Sequence, residues 1–521
     1  MSLVRKFASV GSATMASRVL GFLREALIAA LLGAGPVTDA FYAALRFPNL
    51  FRRLFAEGAF NTAFIPLFAR QLEGGGVDAA RRFAEDVLSA LTAVLLLLSG
   101  LAMLAMPLLV ATVIAPGFAD DPAKFDLTVT MTRIMFPYLF CMSLVAMFSG
   151  ILNSMRHYFL AALVPVLLNV MLIAALLLAY ALSLEPADTG LWLAWAVFAS
   201  GFVQLSFLIW GVRRQGFGLR LRRPRLTPAV RRLLILMGPA ALTGGVIQIN
   251  LLVGQIIASG QEGAISFLNF ADRISQLPLG VIGIAIGVVL LPELARALKA
   301  GDMADAQHLQ NRSLEFALGL TLPAAVGLMI IPGPIVALLY ERGQFTAFDT
   351  QMTAYALAAF SAGLPAFVLI KVFSPAFFAR EDMKTPMWFS IVAVVVNIGA
   401  SLLLFPIYGH VAIAFATSLS GWINFALLAG TLWWRDDFRP SALTLRRVAM
   451  VVFASAVMGG LVWGLDALLG AWIGHGSSMV RLVSLLGVIG VAAAAYFAIV
   501  IATGAVDRGQ LLGLIRRRRP A

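Results

Sequence analysis

Cysteine occurs once in this chain, at Cys141. That excludes an intrachain disulfide and any cysteine-built metal cluster. Cys141 lies in an apolar run and reads as a small buried packing residue. Histidine is nearly as scarce: His157, His308, His410 and His475 all lie near loops and lack metal-ligand spacing. No Ser/His/Asp or Cys/His set converges on a predicted cavity, and the adjacent acids Asp120/Asp121 and Asp436/Asp437 read as loop charges beside helix ends. An enzyme acting on lipid-linked substrates therefore finds no support in the residues. Charge is thin as well, at 12% of the chain, against roughly 25% in soluble domains. What remains is 60% hydrophobic, with a mean hydropathy of +0.91. A polytopic membrane protein follows.

Apolar segments of helix length fall at 8–34, 37–69, 86–114, 127–154, 158–183, 189–212, 233–259, 264–294, 313–340, 348–378, 386–407, 410–434, 445–469 and 481–504. The expected fold is all-α with fourteen transmembrane helices. The second and eighth are expected to be long and broken by Pro48 and Pro278. Arg5 and Lys6 precede an apolar stretch, as in a signal peptide, but Arg18 and Arg24 interrupt its core. It reads as a retained first helix.

Most of the 39 Lys and Arg fall on one side of these spans. That side holds Arg70/Arg81/Arg82, Arg156, the loop 213–232, Arg296/Lys299/Arg312, Arg380/Lys384, Arg435/Arg439/Arg446/Arg447 and the tail Arg516–Arg519. The opposite side holds Lys124, Arg342 and Arg481 among acids such as Asp120, Asp121, Asp126, Glu185 and Asp188. The positive-inside rule makes both termini cytoplasmic. Loop 213–232 is the most basic segment; it reads either as a topology anchor and linker or as a contact for anionic lipid headgroups.

That loop also separates two related halves. Pro66-Leu-Phe-Ala-Arg-Gln-Leu-Glu-Gly-Gly75 aligns with Pro292-Glu-Leu-Ala-Arg-Ala-Leu-Lys-Ala-Gly301, 226 positions later, and 228 positions separate Pro137 from Pro365, Met155 from Met383 and Asn169 from Asn397. Six helices per half, an even number, make the repeat parallel, and transporters so built place the substrate between the halves. The expected domains are residues 1–226 (first six-helix lobe), 227–440 (second lobe) and 441–521 (helices 13 and 14 with a basic tail).

Charges interrupt the first two spans: Arg18, Arg24, Glu25, Asp39, Arg46, Arg52, Arg53 and Glu57. Each costs about 2.5–3.5 kcal/mol at bilayer depth on insertion scales, so a hydrated, anion-attracting cavity is expected. Arg18 and Glu25 share a helical face, with Arg24 turned away, and Asp39, Arg46 and Arg53 form a stripe with Arg52 and Glu57 at its flanks. At the repeat offset Arg18 meets Gly244, Arg24 Asn250, Arg52 Pro278 and Arg53 Leu279. The scaffold is duplicated but the cations are not; the second half adds Asp272 and Arg273. Guanidinium forks bind phosphate in a bidentate way and stay charged, which suits a diphosphate. The plain alternative is that Arg–Glu and Arg–Asp pairs neutralise each other and lock helices together. Arg46, Arg52 and Arg53 also fit snorkelling side chains. Lys371, inside the tenth span, fits a coupling residue or a snorkelling one.

The first two spans carry a recognisable text. Ser17-Arg-Val-Leu-Gly-Phe-Leu-Arg-Glu25, Gly33-Ala-Gly, Thr38-Asp-Ala-Phe41 and Pro48-Asn-Leu-Phe-Arg-Arg-Leu-Phe-Ala-Glu-Gly-Ala-Phe60 resemble the MurJ (MviN) family of lipid II flippases. Ala115-Pro-Gly-Phe-Ala119, Ala271-Asp-Arg273 and Gly343-Gln-Phe-Thr-Ala-Phe-Asp349 look like it too. That family belongs to the superfamily of multidrug and oligosaccharidyl-lipid exporters. The resemblance implies an inner-membrane flippase that moves lipid II, an undecaprenyl-diphosphate-linked disaccharide peptide, to the outer leaflet by alternating access. It implies Arg18, Arg24 and Arg273 as cavity arginines, with Arg46, Arg52 and Arg53 beside them. Glu25, Asp39, Glu57 and Asp272 are supporting charges, and helices 13 and 14 line a groove for the lipid tail. Some members are proposed to use a sodium site, but the seventh and eleventh spans here contain no Asp or Glu, so that site is not carried over. Membrane lipids and the peptidoglycan synthesis machinery are expected partners; metal, cofactor, nucleic acid and catalysis are not. The alternative is an ion-coupled multidrug exporter, or another polyprenyl-diphosphate-oligosaccharide exporter, on the same scaffold.

Overall fold

The computed structural model describes residues 3–53, 60–475 and 478–505; Glu57 and the tail arginines Arg516–Arg519 lie outside the described residues. All regular structure among the described residues is helical. Ten helical segments there are long and apolar enough to cross a membrane. The chain is an all-α polytopic membrane protein. The charge-bearing segments α1 (Leu3–Leu32) and α2 (Pro36–Phe51) are helical and are not among those ten.

Helix α3 (Asn61–Leu104) is two helices joined at Gly76, whose φ of 73° lies in the left-handed region. Nineteen residues of straight helix would separate Phe64 from Phe83 by about 28 Å, yet their rings stack with centroids 5.7 Å apart. The chain doubles back there, and glycine supplies the conformation without a Cβ penalty. After α4 (Met106–Leu109) a π-helical piece, Val110–Ile114, runs into a 3-10 turn, Pro116–Asp120. Helices α5 (Pro122–Met135), α6 (Tyr138–Ser154), α7 (Tyr158–Ala181), α8 (Pro186–Arg214) and α9 (Pro228–Ala258) follow.

The rest comprises α10 (Ala264–Lys299), α11 (Met303–Ile330), α12 (Pro332–Tyr340), α13 (Ala347–Ser361), α14 (Leu364–Phe378), α15 (Lys384–Tyr408), α16 (His410–Trp434), α17 (Ala442–His475) and α18 (Ser478–Ala502). Prolines act unevenly here. Pro278 and Pro292 sit inside α10 without interrupting it, contrary to the expected break at Pro278. A lost amide donor is tolerated in membrane helices because local adjustment and neighbours satisfy the freed carbonyl. Pro332 does end a helix: Ile331 before it is non-helical, at φ −119° and ψ 47°, as the steric demand of a following proline favours. Pro137 lies between α5 and α6, and Pro365 in the first turn of α14.

The chain divides into two compact units, Met1–Ser266 with Arg342–Phe345, and Phe267–Glu341 with Thr346–Ala521. In the first, α1 lies along α7, α7 and α6 pack on α8, and α2 packs on α5. Its core is aromatic, with Phe41, Phe64, Phe68, Phe118 and Phe136 fully buried. In the second, α11 packs against α14, α13 and α17, α15 against α16, and α17 against α18. Leu97, Leu104, Leu402, Leu403 and Trp463 stay exposed, as lipid-facing side chains do.

Candidate functional site

Arg24 and Glu25 form the centre of the first unit's polar cluster. Arg24 is 7% exposed and Glu25 is fully buried. Arg24 Nη2 donates to Glu25 Oε1, and the Tyr42 hydroxyl donates to Glu25 Oε2. Arg24 Nη1 donates to Asn169 Oδ1 at 3.0 Å. Asn169 Nδ2 in turn donates to the Ser17 carbonyl at 3.0 Å. Three helices, α1, α2 and α7, thus fix one guanidinium. A buried charge is tolerable only when paired and hydrogen-bonded, and this one is both. Arg18, two turns earlier, is exposed and makes no hydrogen bond or ion pair among the described residues. Arg18 and Glu25 share a wheel position, yet one faces outward and the other is enclosed.

Asp39 lies elsewhere in the same unit and pairs with a lysine, not with an arginine. It is fully buried and accepts from Lys124 Nζ at 2.8 Å, from the Gly263 and Ser266 amides at 2.8 and 2.9 Å, and from the Ser266 hydroxyl at 2.7 Å. The carboxylate therefore satisfies orphan amides where α10 begins. Lys124 is placed by Asp121, the N-cap of α5, which accepts the Ala123 and Lys124 amides. Its ammonium also sits 4.0 Å from the Phe118 ring centroid. Sequence reasoning placed Lys124 only among the few basic residues on the acidic side of the spans; it is 6% exposed.

Two further contacts belong to this end of the unit. Gln255 Nε2 donates to the carbonyl of Ile114 at 2.8 Å, an acceptor that the π-helical turn leaves over. The Gln344 amide donates to the Ala30 carbonyl at 2.9 Å. Gly33 and Gly343 flank that bond, both at positive φ. A Cβ on Gly33 would meet the Gln344 carbonyl oxygen at 2.6 Å, and one on Gly343 the Ala30 oxygen at 2.1 Å.

The α2 stripe grades from inside to outside: Asp39 is buried, Arg46 half-buried and Arg53 exposed. Arg52, half-buried, donates from Nε to Asn49 Oδ1 at 3.1 Å. In the second unit, Asp272 is half-buried and accepts from Gln276, while Arg273 is exposed on α10. Directly after Arg273, Ile274, Leu277 and Pro278 line an apolar slot of about 510 Å³. Its other walls come from α11, α12, α17 and α18, including Leu320, Leu485 and Phe497. Tyr496 closes one side, its hydroxyl donating to the Gly319 carbonyl at 2.6 Å. Ion pairs Glu315–Arg447 at 2.9 Å and Glu341–Arg481 at 3.1 Å tie α17 and α18 to the rest of the unit. Among the described residues, no three His, Cys, Asp or Glu converge as a metal site.

Sequence reasoning missed Tyr42, Lys124 and Ser266, and noted Asn169 only as a repeat position. A polar residue in an apolar run, matched 228 positions later by Asn397, was the one available signal; both asparagines are buried, at 6% and 7% exposure.

A model of the family "Lipid II flippase MurJ" matches residues 28–505. A "Probable lipid II flippase MurJ" from Rhizobium tropici is 52% identical over 522 residues, covering 100% of this chain and 98% of that protein. Its counterpart from Rhizobium meliloti (strain 1021) is 52% identical over 518 residues, with 99% and 96% covered. The "Lipid II flippase MurJ" of Burkholderia cenocepacia is 36% identical over 467 residues, with 89% and 90% covered. Among solved structures, a lipid II flippase MurJ in an inward closed conformation superposes with a TM-score of 0.78 at 23% identity, covering 96% of this chain and 99% of that one. An inward-facing multidrug resistance MATE transporter of the MOP superfamily gives 0.65 at 15% identity, with 85% and 98% covered. The structural likenesses bear on the fold alone.

Proposed function

The chain belongs to the MurJ family of lipid II flippases, and from that premise we propose that it carries lipid II from the cytoplasmic to the outer leaflet of the inner membrane by alternating access. One observation carries the assignment beyond the family name. On α10 a cation, Arg273, is followed at once by the wall of an apolar slot closed by α17 and α18. A diphosphate joined to a polyprenyl tail needs that succession of charge and hydrocarbon. Arg18 and Arg24 of the first unit and Arg273 of the second are the diphosphate-binding cations in this reading. Arg46, Arg52 and Arg53 add positive potential, and Glu25, Asp39, Glu57 and Asp272 are supporting charges.

Fourteen spans, arranged as two parallel six-helix repeats (1–226 and 227–440) with a C-terminal pair (441–521) and both termini cytoplasmic, complete the proposal. Pro137 and Pro365 at helix junctions, with Asn169 and Asn397 buried in α7 and α15, support the repeat. Release in the outer leaflet hands lipid II to the peptidoglycan synthesis machinery, the expected functional partner. An exporter of cationic drugs would need carboxylates for its cargo; in the first unit Glu25 serves Arg24 and Tyr42, and Asp39 serves Lys124.

The test is the outer-leaflet pool of precursor in cells depleted of the native protein and supplied with Arg24→Ala or Arg273→Ala. Both variants should reach the membrane, Arg24→Ala with a lowered Tm because it strands the buried Glu25, and leave that pool near the depleted level. A fully active double variant sinks the assignment.

A further inference from the structure

The basic loop 213–232 has no part in the cation set described above, and its geometry is specific. Loop residues 216–222 lie along the first turns of α3 after Gly76. Glu85, 2% exposed, accepts the Arg220 amide at 3.1 Å, and its other carboxylate oxygen lies 2.6 Å from Arg222 Nε. Ser89, one turn on, accepts the Arg222 amide at 2.8 Å. Arg81, one turn back, donates to the Gly216 carbonyl at 3.1 Å and lies over the Phe217 ring. One helix face at 81, 85 and 89 thus holds the loop in place.

Two cavities flank the held segment. The first, about 690 Å³, is lined by five arginines, Arg81, Arg82, Arg213, Arg220 and Arg222, against Asp78 and Glu85. Arg81 and Arg222 are committed to Gly216 and Glu85. The guanidinium groups of Arg82, Arg213 and Arg220 make no hydrogen bond or ion pair among the described residues and are exposed. The second cavity, about 320 Å³, is an apolar crevice walled by Leu88, Phe140, Leu144 and Phe148, with Thr92 at its side. The two share Arg213 and Leu219 as wall residues.

A positive cavity that shares two wall residues with an apolar crevice has the outline of an amphiphile. Its depth fits as well. Arg213 stands where the apolar run of α8 ends, and Trp210, 50% exposed, has Arg214 over its ring at 5.3 Å, an interfacial aromatic with a basic neighbour. Leu221 is 65% exposed within an arginine-rich loop, which a bilayer surface resolves and water does not.

We propose that the paired cavities bind an anionic glycerophospholipid, its phosphate held by Arg82, Arg213 and Arg220 and one acyl chain lying in the crevice beneath Phe140, Leu144 and Phe148. The site belongs to the first unit alone and stands independently of the transport reading. A soluble phosphate would use the basic cavity and leave the crevice empty, which distinguishes the two sources.

The experiment uses the full-length protein, delipidated in a neutral detergent and titrated under native mass spectrometry with phosphatidylglycerol, phosphatidylcholine or glycerol 3-phosphate. Wild type should retain one phosphatidylglycerol in preference to phosphatidylcholine and bind glycerol 3-phosphate weakly. The triple variant Arg82→Gln/Arg213→Gln/Arg220→Gln, altered only at exposed positions, should bind phosphatidylglycerol roughly tenfold to a hundredfold less tightly. Thr92→Trp, which fills the crevice from a half-buried position, should weaken phosphatidylglycerol and spare glycerol 3-phosphate. Equal phosphatidylglycerol binding by wild type and the triple variant overturns the proposal. So does glycerol 3-phosphate binding as tight as phosphatidylglycerol, or indifference to Thr92→Trp.

Discussion

The Asp39–Lys124 pair offers a measurement whose outcome the geometry dictates. Asp39→Ala removes the acceptor from four donors: the Lys124 ammonium, the Gly263 amide, and the Ser266 amide and hydroxyl, all within 2.9 Å. Lys124 is then stranded at 6% exposure with the Phe118 ring as its remaining contact. Removing one partner of a buried ion pair costs about 3–5 kcal/mol. Lys124→Met leaves Asp39 its three other donors, so its cost is smaller, about 1–3 kcal/mol. The double variant removes the stranded charge and should fall short of the sum of the singles by about 1–3 kcal/mol. On a scale of about 2–4 °C per kcal/mol for a domain of roughly 200 residues, Asp39→Ala lowers Tm by about 6 °C or more. Thermal unfolding of the purified protein in detergent, followed by intrinsic fluorescence, reads all three variants. Additive losses in the double variant, or a larger loss from Lys124→Met than from Asp39→Ala, would refute the reasoning.

Asn169→Leu keeps the volume of the side chain but takes the acceptor from Arg24 Nη1; flipping should fall about tenfold or more while Tm drops by only a few degrees, measured by outer-leaflet precursor and by melting. Gly343→Ala sets a methyl against the Ala30 carbonyl at a left-handed φ and should cost about 1–3 kcal/mol in the same melting assay; a neutral result would show that the segment relaxes freely. Asp382, in the turn before α15, is pulled from its ordinary 3.8 down to about 2 by hydrogen bonds from Arg435 and Thr385. A depressed carboxyl stabilises the fold fully above its unfolded value, so the Tm gap between wild type and Asp382→Asn should be constant above about pH 5 and close as pH falls from about 4 towards 2. Membrane depolarisation should slow flipping without any sodium gradient, since about 2.3 kcal/mol per charge per 100 mV drives the anion outward; unchanged flux in depolarised proteoliposomes would contradict this.

What could be read from the sequence followed physical range. Apolar helices were legible because apolar length is a local property, and ten helical segments are long and apolar enough to cross a membrane; the doubling back of α3 at Gly76 lies between the segments expected at 37–69 and 86–114. Arg24 and Glu25 stood out because charges in an apolar run are costly anywhere in a bilayer. Pairing of arginine with glutamate was one of the two readings open; that Arg24, and not Arg18 on the same wheel face, is the partner of Glu25 was not legible. A helical wheel assigns directions to Cβ atoms, and a guanidinium on three methylenes bends across the 100° that separates neighbours. Partners from other helices were hidden for a different reason. Lys124 follows Asp121 in a polar stretch that any reading places in a loop, and only its distance to a residue 85 positions earlier shows otherwise. The continuous course of α10 through Pro278 was misjudged because the penalty for proline depends on what surrounds the freed carbonyl.

The junction at Gly33, Ala30 and Gly343 is built from main chain on both sides. Salt cannot screen it, acid cannot discharge it, and no exchange of side chains at Ala30 or Gln344 strengthens it. It is vulnerable instead to the addition of a single carbon atom at either glycine. A fastening of that kind works alike in every ionic condition the cell meets, and leaves its mark on the sequence only as two residues that cannot grow.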